Sequence, residues 1–208
     1  KIICDNLGGE LEVPMGTTLQ KIAERLTPGK YPFLAAFVNN RIKELNYRIY
    51  TPVTIRFVDI TSFEGIRVYQ RTAWFILQKA DRTLHIRHSL GQSGVYCEIE
   101  GIDEFSREET DALKARMREI VASDLPIERR KALTSEVRAR YAAEGFADKI
   151  ALLDSRPRLY SDLYTLADTA GYFYGSLAPS TGYIRLFDIE PYYNGFYLVL
   201  PPRTSPDR

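Results

Sequence analysis

Within the first sixty residues the hydrophobic period changes from strand-like to helix-like and back, and that change limits the folds open to the chain. Lys1 to Cys4 and Leu11 to Val13 flank Asn6-Leu7-Gly8-Gly9, whose glycines permit the positive backbone angles of a tight turn, so a hairpin is expected. Thr17 and Gln20 then have capping-box spacing, with Leu19, Ile22, Ala23 and Leu26 on one helical face before Thr27-Pro28-Gly29 stops the run. Phe33 to Val38 reads as a buried strand and Asn39-Asn40 as a turn. Val53 to Ile60 reads as a last strand, Val53, Ile55 and Phe57 alternating against Thr54 and Arg56. The order β-β-α-β-β predicts a β-grasp over residues 1–62 and an α+β fold class.

Composition narrows the function classes. The chain has 208 residues and 45% hydrophobic content, enough for one or two ordinary cores. Its 28 Lys and Arg nearly balance 27 Asp and Glu, so no global field recruits nucleic acid or an anionic membrane, and only a local patch can do so. Cys4 and Cys97 are far apart beside apolar residues and are expected as buried thiols. The sequence has neither a signal-peptide core nor an apolar run of membrane-spanning length, so a cytoplasmic location without membrane contact is expected. The chain opens on Lys1 and closes on Pro201-Pro202-Arg203-Thr204-Ser205-Pro206-Asp207-Arg208. Residues 201–208 are therefore expected to be a linker to a further C-terminal domain.

Residues 63–200 are predicted to form a second domain. Ile66 to Ala80 suits a helix with Val68, Thr72, Phe75, Ile76 and Lys79 near one side. Ser106 and Glu109 form a capping box ahead of a helix to Val121, whose Leu113, Met117, Ile120 and Val121 make a core stripe. Asp124 to Arg129 is expected as a linker through the family likeness given below, and Thr134 to Gly145 reads as a helix closed by glycine. His85 and His88 lie three apart in an expected strand and point to opposite faces, so a two-histidine metal site is not expected. Tyr160, Tyr164, Tyr172, Tyr174, Tyr183, Tyr192, Tyr193 and Tyr197 crowd the last fifty residues. Such rings serve either as core or as stacking faces for a nucleobase. Ser176, Ser180 and Thr181 have no histidine near them in sequence, so a hydrolytic site there needs Glu190 or His88 brought in by the fold.

Several segments carry a family likeness. Val13-Pro14-Met15-Gly16-Thr17-Thr18-Leu19 and Ala35-Ala36-Phe37-Val38-Asn39-Asn40 resemble TGS domains, ubiquitin-like modules fused to synthetases and some GTPases. Pro179-Ser180-Thr181-Gly182 followed by a hydrophobic strand, and Ser93 to Ile99, resemble the editing domain of threonyl-tRNA synthetases. That resemblance implies four zinc-ligand positions, a His-x-x-x-His pair and a Cys and His, which fall here on Arg71, Phe75, Phe173 and Leu177. It therefore implies loss of the metal together with the histidine acid-base groups, and a degenerate editing-like domain without catalytic residues. Arg71, Phe75, Tyr164, Tyr172, Phe173, Tyr174 and Leu177 are the candidate ligand-binding residues, Arg71 for a phosphate or carboxylate and the rings for a nucleotide effector.

The combination, with Tyr47-Arg48-Ile49-Tyr50 and Tyr172-Phe173-Tyr174-Gly175 through Leu186-Phe187-Asp188, resembles the N-terminal half of bacterial nucleoside kinases of the uridine kinase type. That likeness implies an attached C-terminal P-loop domain, with ATP and magnesium as cofactors, phosphorylating a pyrimidine nucleoside. No G-x-x-x-x-G-K-[ST] occurs in this chain, so phosphoryl transfer is not expected of it and no cofactor is expected in it. The expected role is substrate sensing, docking or oligomerisation. The alternative is a threonyl-tRNA synthetase-related RNA-binding module without editing, for which Arg129-Arg130-Lys131 with Arg138 and Arg140 is the candidate patch.

Overall fold

A computed structural model describes residues 1–27, 29–81, 94–99, 104–155 and 158–207 and the backbone of 86–91. In chain order the elements are β1 (Ile2–Cys4), β2 (Gly9–Leu11), β3 (Thr17–Thr18), α1 (Leu19–Ala23), β4 (Ala35–Val38), β5 (Arg41–Glu44), β6 (Arg48–Ile49), β7 (Thr54–Val58) and α2 (Phe63–Ala80). There follow β8 (Ile86–Gly91), β9 (Gly94–Ile99), α3 (Arg107–Ala122), β10 (Ile127–Leu133), α4 (Thr134–Ala143), α5 (Ala147–Asp154), β11 (Tyr160–Leu166), β12 (Thr169–Tyr172), β13 (Asp188–Tyr192) and β14 (Gly195–Val199). The α+β class expected from the sequence is the class observed. Two compact units result, one of residues 1–126 with 175–208 and one of residues 127–174. The sequence boundary at 62/63 lies inside the first of these.

In the first unit, one sheet has the order β2-β1-β7-β4-β5. Its β1 and β7 run parallel, Ile3 beside Thr54 and Cys4 beside Ile55, while its other pairs are antiparallel. Alternation in β7 sends Ile55 and Phe57 inward and Arg56 outward, and α1 closes that face with Leu19 and Ile22. Thr18 caps α1 by accepting from the Lys21 amide, whereas the hydroxyl of Thr17 donates to the Pro14 carbonyl, which corrects the expected cap by one residue. The first turn is a short 3-10 helix over Asp5–Leu7 that ends on Gly8 at φ 64. Asn39 and Asn40 both take positive φ, at 46 and 64, in the two-residue turn from β4 to β5. That is the backbone that a tight hairpin needs and that asparagine tolerates best after glycine.

A second sheet in this unit has the order β13-β14-β9-β8, antiparallel throughout. Val95, Cys97, Phe196 and Leu198 bury one of its faces. Cys4 and Cys97 are free, fully buried thiols, and burial pushes the Cys97 thiol up to about 12. The N-cap of α2 is Ser62, and its buried stripe includes Val68, Thr72, Phe75 and Ile76. The α3 capping box is present in both halves, and Leu113 and Met117 are fully buried beneath that helix. Residues 201–207 lie along this unit: Tyr31 donates to an Asp207 carboxylate oxygen at 2.8 Å and Lys30 pairs with the same group. Arg203 donates to the Thr61 carbonyl at 3.2 Å and stands 4.0 Å over the Phe63 ring.

The second unit is the antiparallel sheet β10-β11-β12 with α4 and α5. Ala132, Val137, Tyr141, Leu153 and Leu163 form its core. Residues 127–129 belong to β10 rather than to the expected linker, because Ile127 and Ala132 supply buried anchors and the whole strand pairs with β11. Gly145, at φ 79, follows α4 as expected of a closing glycine. His85 lies outside the described residues, and His88 falls in β8, of which only the backbone is described.

Two outcomes are expected for α3. Ser106→Ala should lower unfolding free energy by about 1 kcal/mol in denaturant titrations, the usual worth of such a cap. The backbone amide of Ser106 holds the Glu109 carboxyl below its ordinary value of 4.5. The stabilisation is thus present above the unfolded value and lost as pH falls through the lower folded one. Glu109→Gln is therefore expected to flatten the acid side of the stability profile while leaving the shape of the neutral region unchanged.

Candidate functional site

Between β12 and β13 the chain runs through an irregular segment, and within the first unit side chains satisfy its buried backbone. The Thr72 hydroxyl donates to the Val68 carbonyl at 2.7 Å and accepts from the Ala178 amide at 2.9 Å. A Glu44 carboxylate oxygen accepts from the Leu177 amide at 3.3 Å. Arg71 donates from Nε to the Ser176 carbonyl at 3.0 Å. Tyr69 donates to the Leu186 carbonyl at 2.7 Å and accepts from the Leu186 amide at 2.9 Å. Burial pushes the Tyr69 hydroxyl up to about 12, so it stays protonated and keeps both roles through the physiological range.

The Pro179 to Gly182 loop is pinned from the α3 side. The Thr181 hydroxyl donates to the Ile120 carbonyl at 2.7 Å and accepts from the Leu125 amide at 2.9 Å. One Asp124 carboxylate oxygen accepts from the Gly182 amide at 2.9 Å and from the Ser180 hydroxyl. The chain then makes a 3-10 turn over Thr181–Tyr183, and the next strand starts only at Asp188, so the strand expected directly after Gly182 is displaced. The Thr181 hydroxyl proton thus goes to the Ile120 carbonyl, and that of Ser180 to the Asp124 carboxylate that also holds the Gly182 amide.

Arg71, Phe75 and Leu177 all belong to the first unit. Phe75 and Leu177 are 0% and 1% exposed and act as core. The Arg71 guanidinium lies against Gly175, where an added Cβ would sit 2.7 Å from its Cζ, and Gly175 takes φ +120. Only glycine accepts both conditions easily. Tyr164, Tyr172, Phe173 and Tyr174 belong to the second unit. There Tyr164 is 2% exposed and packs edge-to-face on Phe173 at 5.9 Å, while Tyr172 meets Tyr174 at 4.9 Å and joins the core beside Tyr141. Burial, ahead of the neighbouring Tyr174, pushes the Tyr172 hydroxyl up to about 12. None of Arg71, Phe75, Phe173 and Leu177 carries a lone pair suited to zinc, so the set does not fit that ion. Among the described residues no group of three or more His, Cys, Asp or Glu is placed to hold a metal.

The remaining tyrosines divide. Tyr183 packs against the core beneath α1, whereas Tyr192 and Tyr193 are exposed on the β13-β14 hairpin. In the second unit the pleat of β10 sends Arg129 and Lys131 to one face and Arg130 to the other, and all three are exposed. Arg138 is held in a two-pronged pair with Asp154 at 3.0 and 3.2 Å, and Arg140 pairs with Glu144 at 3.0 Å. Arg138 and Arg140 are thus held by carboxylates, and Arg129, Arg130 and Lys131 are exposed along β10.

The pinning residues Thr72, Tyr69, Glu44 and Asp124 are not legible as a site in the sequence. Their partners lie far away in the chain, Thr72 being 106 residues from Ala178 and Glu44 133 from Leu177. A hydroxyl inside the apolar stripe of α2 is the one local sign of a distant backbone partner.

The chain matches the threonine–tRNA ligase of Methylococcus capsulatus with 27% identity over 88% of its own length and 30% of that protein. It matches threonine–tRNA ligase 1 of Bacillus subtilis with 28% identity over 88% of the chain and 29% of the relative, and the Rubrobacter xylanophilus threonine–tRNA ligase equally. Over most of its length the chain is similar to threonine–tRNA ligases. It spans about 30% of the length of these curated relatives, and no family model matches it.

Thr72→Val keeps the volume and leaves the buried Ala178 amide without its acceptor. Such a loss costs about 1–3 kcal/mol, and a urea midpoint lowered to match is expected. Faster hydrogen exchange at Ala178 should accompany it.

Proposed function

We propose that the chain is a threonyl-tRNA synthetase-related RNA-binding module that does not carry out editing hydrolysis. The observation that carries the reading is the similarity to threonine–tRNA ligases over 88% of the chain. Beside it stand Arg71, Phe75, Phe173 and Leu177 at positions where an editing site needs metal donors. A site without zinc or histidine lacks both the water activation and the proton transfer that ester hydrolysis needs. Under this proposal residues 1–62 are a TGS-like β-grasp, a reading supported by the parallel pair β1 and β7 inside the order β2-β1-β7-β4-β5. Residues 63–200 are the editing-like domain, with the exposed cations of β10 as the RNA-facing edge. The working location is the cytoplasm; among the described residues no helix is long and apolar enough to cross a membrane. The likeness to nucleoside kinases implies attachment to an ATP- and magnesium-dependent kinase domain and a nucleotide effector. No observation favours these over the RNA reading.

The test is fluorescence anisotropy with a labelled acceptor-stem minihelix of threonine tRNA at two salt concentrations. Binding that weakens linearly in log salt is expected. Arg130→Glu with Lys131→Glu should reduce the slope by about 0.7–0.9 per lost phosphate contact. An RNA affinity that is undetectable, or that the double variant leaves unchanged, would overturn the proposal.

A further inference from the structure

The solvent-facing side of the β13-β14-β9 sheet, opposite its buried face, carries a cluster of tyrosines that the RNA reading does not use. Register sets Tyr197 between Tyr96 and Glu190, and Gly195 between Tyr192 and Glu98. Tyr192 stands edge-on to three other rings: Tyr193 at 4.6 Å and 89°, Tyr197 at 5.1 Å and 77°, and Tyr96 at 5.4 Å and 82°. Tyr192 and Tyr193 are 45% and 76% exposed, an unusual placement for two adjacent rings. Tyr193 occupies the hairpin tip with φ 48, a backbone that a bulky residue adopts only under constraint.

That constraint has identifiable sources. The Tyr96 hydroxyl donates to the Asn194 side-chain carbonyl at 2.9 Å, and the Asn194 amide group donates to Glu98 at 2.9 Å. The Phe105 amide donates to the Tyr193 carbonyl at 3.4 Å and the Ile99 amide to the Asn194 carbonyl at 3.3 Å. The hairpin tip is therefore fixed before any partner arrives. Beside it an open hollow of about 720 Å³ is lined by Tyr96, Glu104, Phe105, Tyr192, Tyr193 and Asn194. Among the described residues, Glu104 and Glu190 are exposed carboxylates at this face, and Glu98 accepts from Asn194.

Aromatic faces set at right angles, with the Glu104 carboxylate lining the hollow and Glu190 beside Tyr197 on the same sheet face, suit a cation: the ring quadrupoles attract positive charge and the carboxylates add to it. The same carboxylates repel phosphate. We infer that this face is a docking surface for an arginine- or lysine-bearing segment of a partner protein. Tyr192 and Tyr193 supply the ring faces, and Glu104 and Glu190 the charge complement. The surface belongs to the first unit, and the cationic β10 strand to the second.

The test uses the whole chain and a fluorescein-labelled peptide of alternating glycine and arginine, with the same peptide carrying citrulline for arginine as the neutral control. The arginine peptide is expected to bind at least about tenfold more tightly than the citrulline peptide, and Tyr192→Ala to weaken it by about tenfold. Tyr192→Phe keeps the ring and should stay within about twofold of the unchanged protein, while Glu104→Gln with Glu190→Gln should weaken binding by about threefold. The two glutamates are exposed, so that variant tests charge even if Tyr192→Ala unfolds. Four outcomes would overturn the inference: no binding of the arginine peptide, equal binding of the citrulline peptide, indifference to the glutamate variant, or tighter binding of oligouridylate than of the arginine peptide.

Discussion

The hydroxyl of Thr72, donating to its own helix and accepting from the Ala178 amide, is the contact on which the arrangement of the first unit turns. An irregular segment can be buried only if its backbone polar groups find partners. Thr72, Glu44, Arg71, Tyr69 and Asp124 supply those partners between Ser176 and Leu186, and Thr181 in turn supplies them for Ile120 and Leu125. With the backbone satisfied, Leu177 and Phe75 can remain in the core. Without it the segment would need water, and the apolar packing around α2 would open.

This device bears on chemistry as well as on fold. Thr72, Glu44, Arg71, Tyr69 and Asp124 direct their polar atoms to amides and carbonyls of the irregular segment. Arg71 is informative here: its positive charge lies flat on Gly175, whose φ of +120 and lack of a Cβ make the contact possible. A cation thus stays in the segment as a structural group. The contrast with the Tyr192 hairpin is physical. One region satisfies its polar groups internally, whereas the other leaves rings and carboxylates facing solvent.

Local patterns make much of the fold legible. The Ser106 capping box, the Asn39-Asn40 turn and the α2 stripe each depend on residues within a few positions of one another, and each is found where sequence reasoning puts it. Thr17 misleads as a cap because Thr18, its neighbour, has nearly the same spacing, and the hydroxyl that reaches the Lys21 amide decides the matter. The linker that the family likeness implies over Asp124 to Arg129 gives way to a strand from Ile127, because Ile127 and Ala132 are buried and pairing with β11 runs the whole length of β10. In the sequence the candidate site is visible only through the family likeness. Its pins join residues roughly 55 to 135 positions apart, and the division of the tyrosines between two units comes from chain tracing that no local period encodes.

Zinc content per chain, measured by elemental analysis after incubation with excess zinc and gel filtration, tests most directly whether a synthetase-like frame persists here without its metal chemistry. Far less than one zinc per chain is the expected result. One zinc retained per chain would contradict it, because Arg71, Phe75, Phe173 and Leu177 offer nothing to hold the ion.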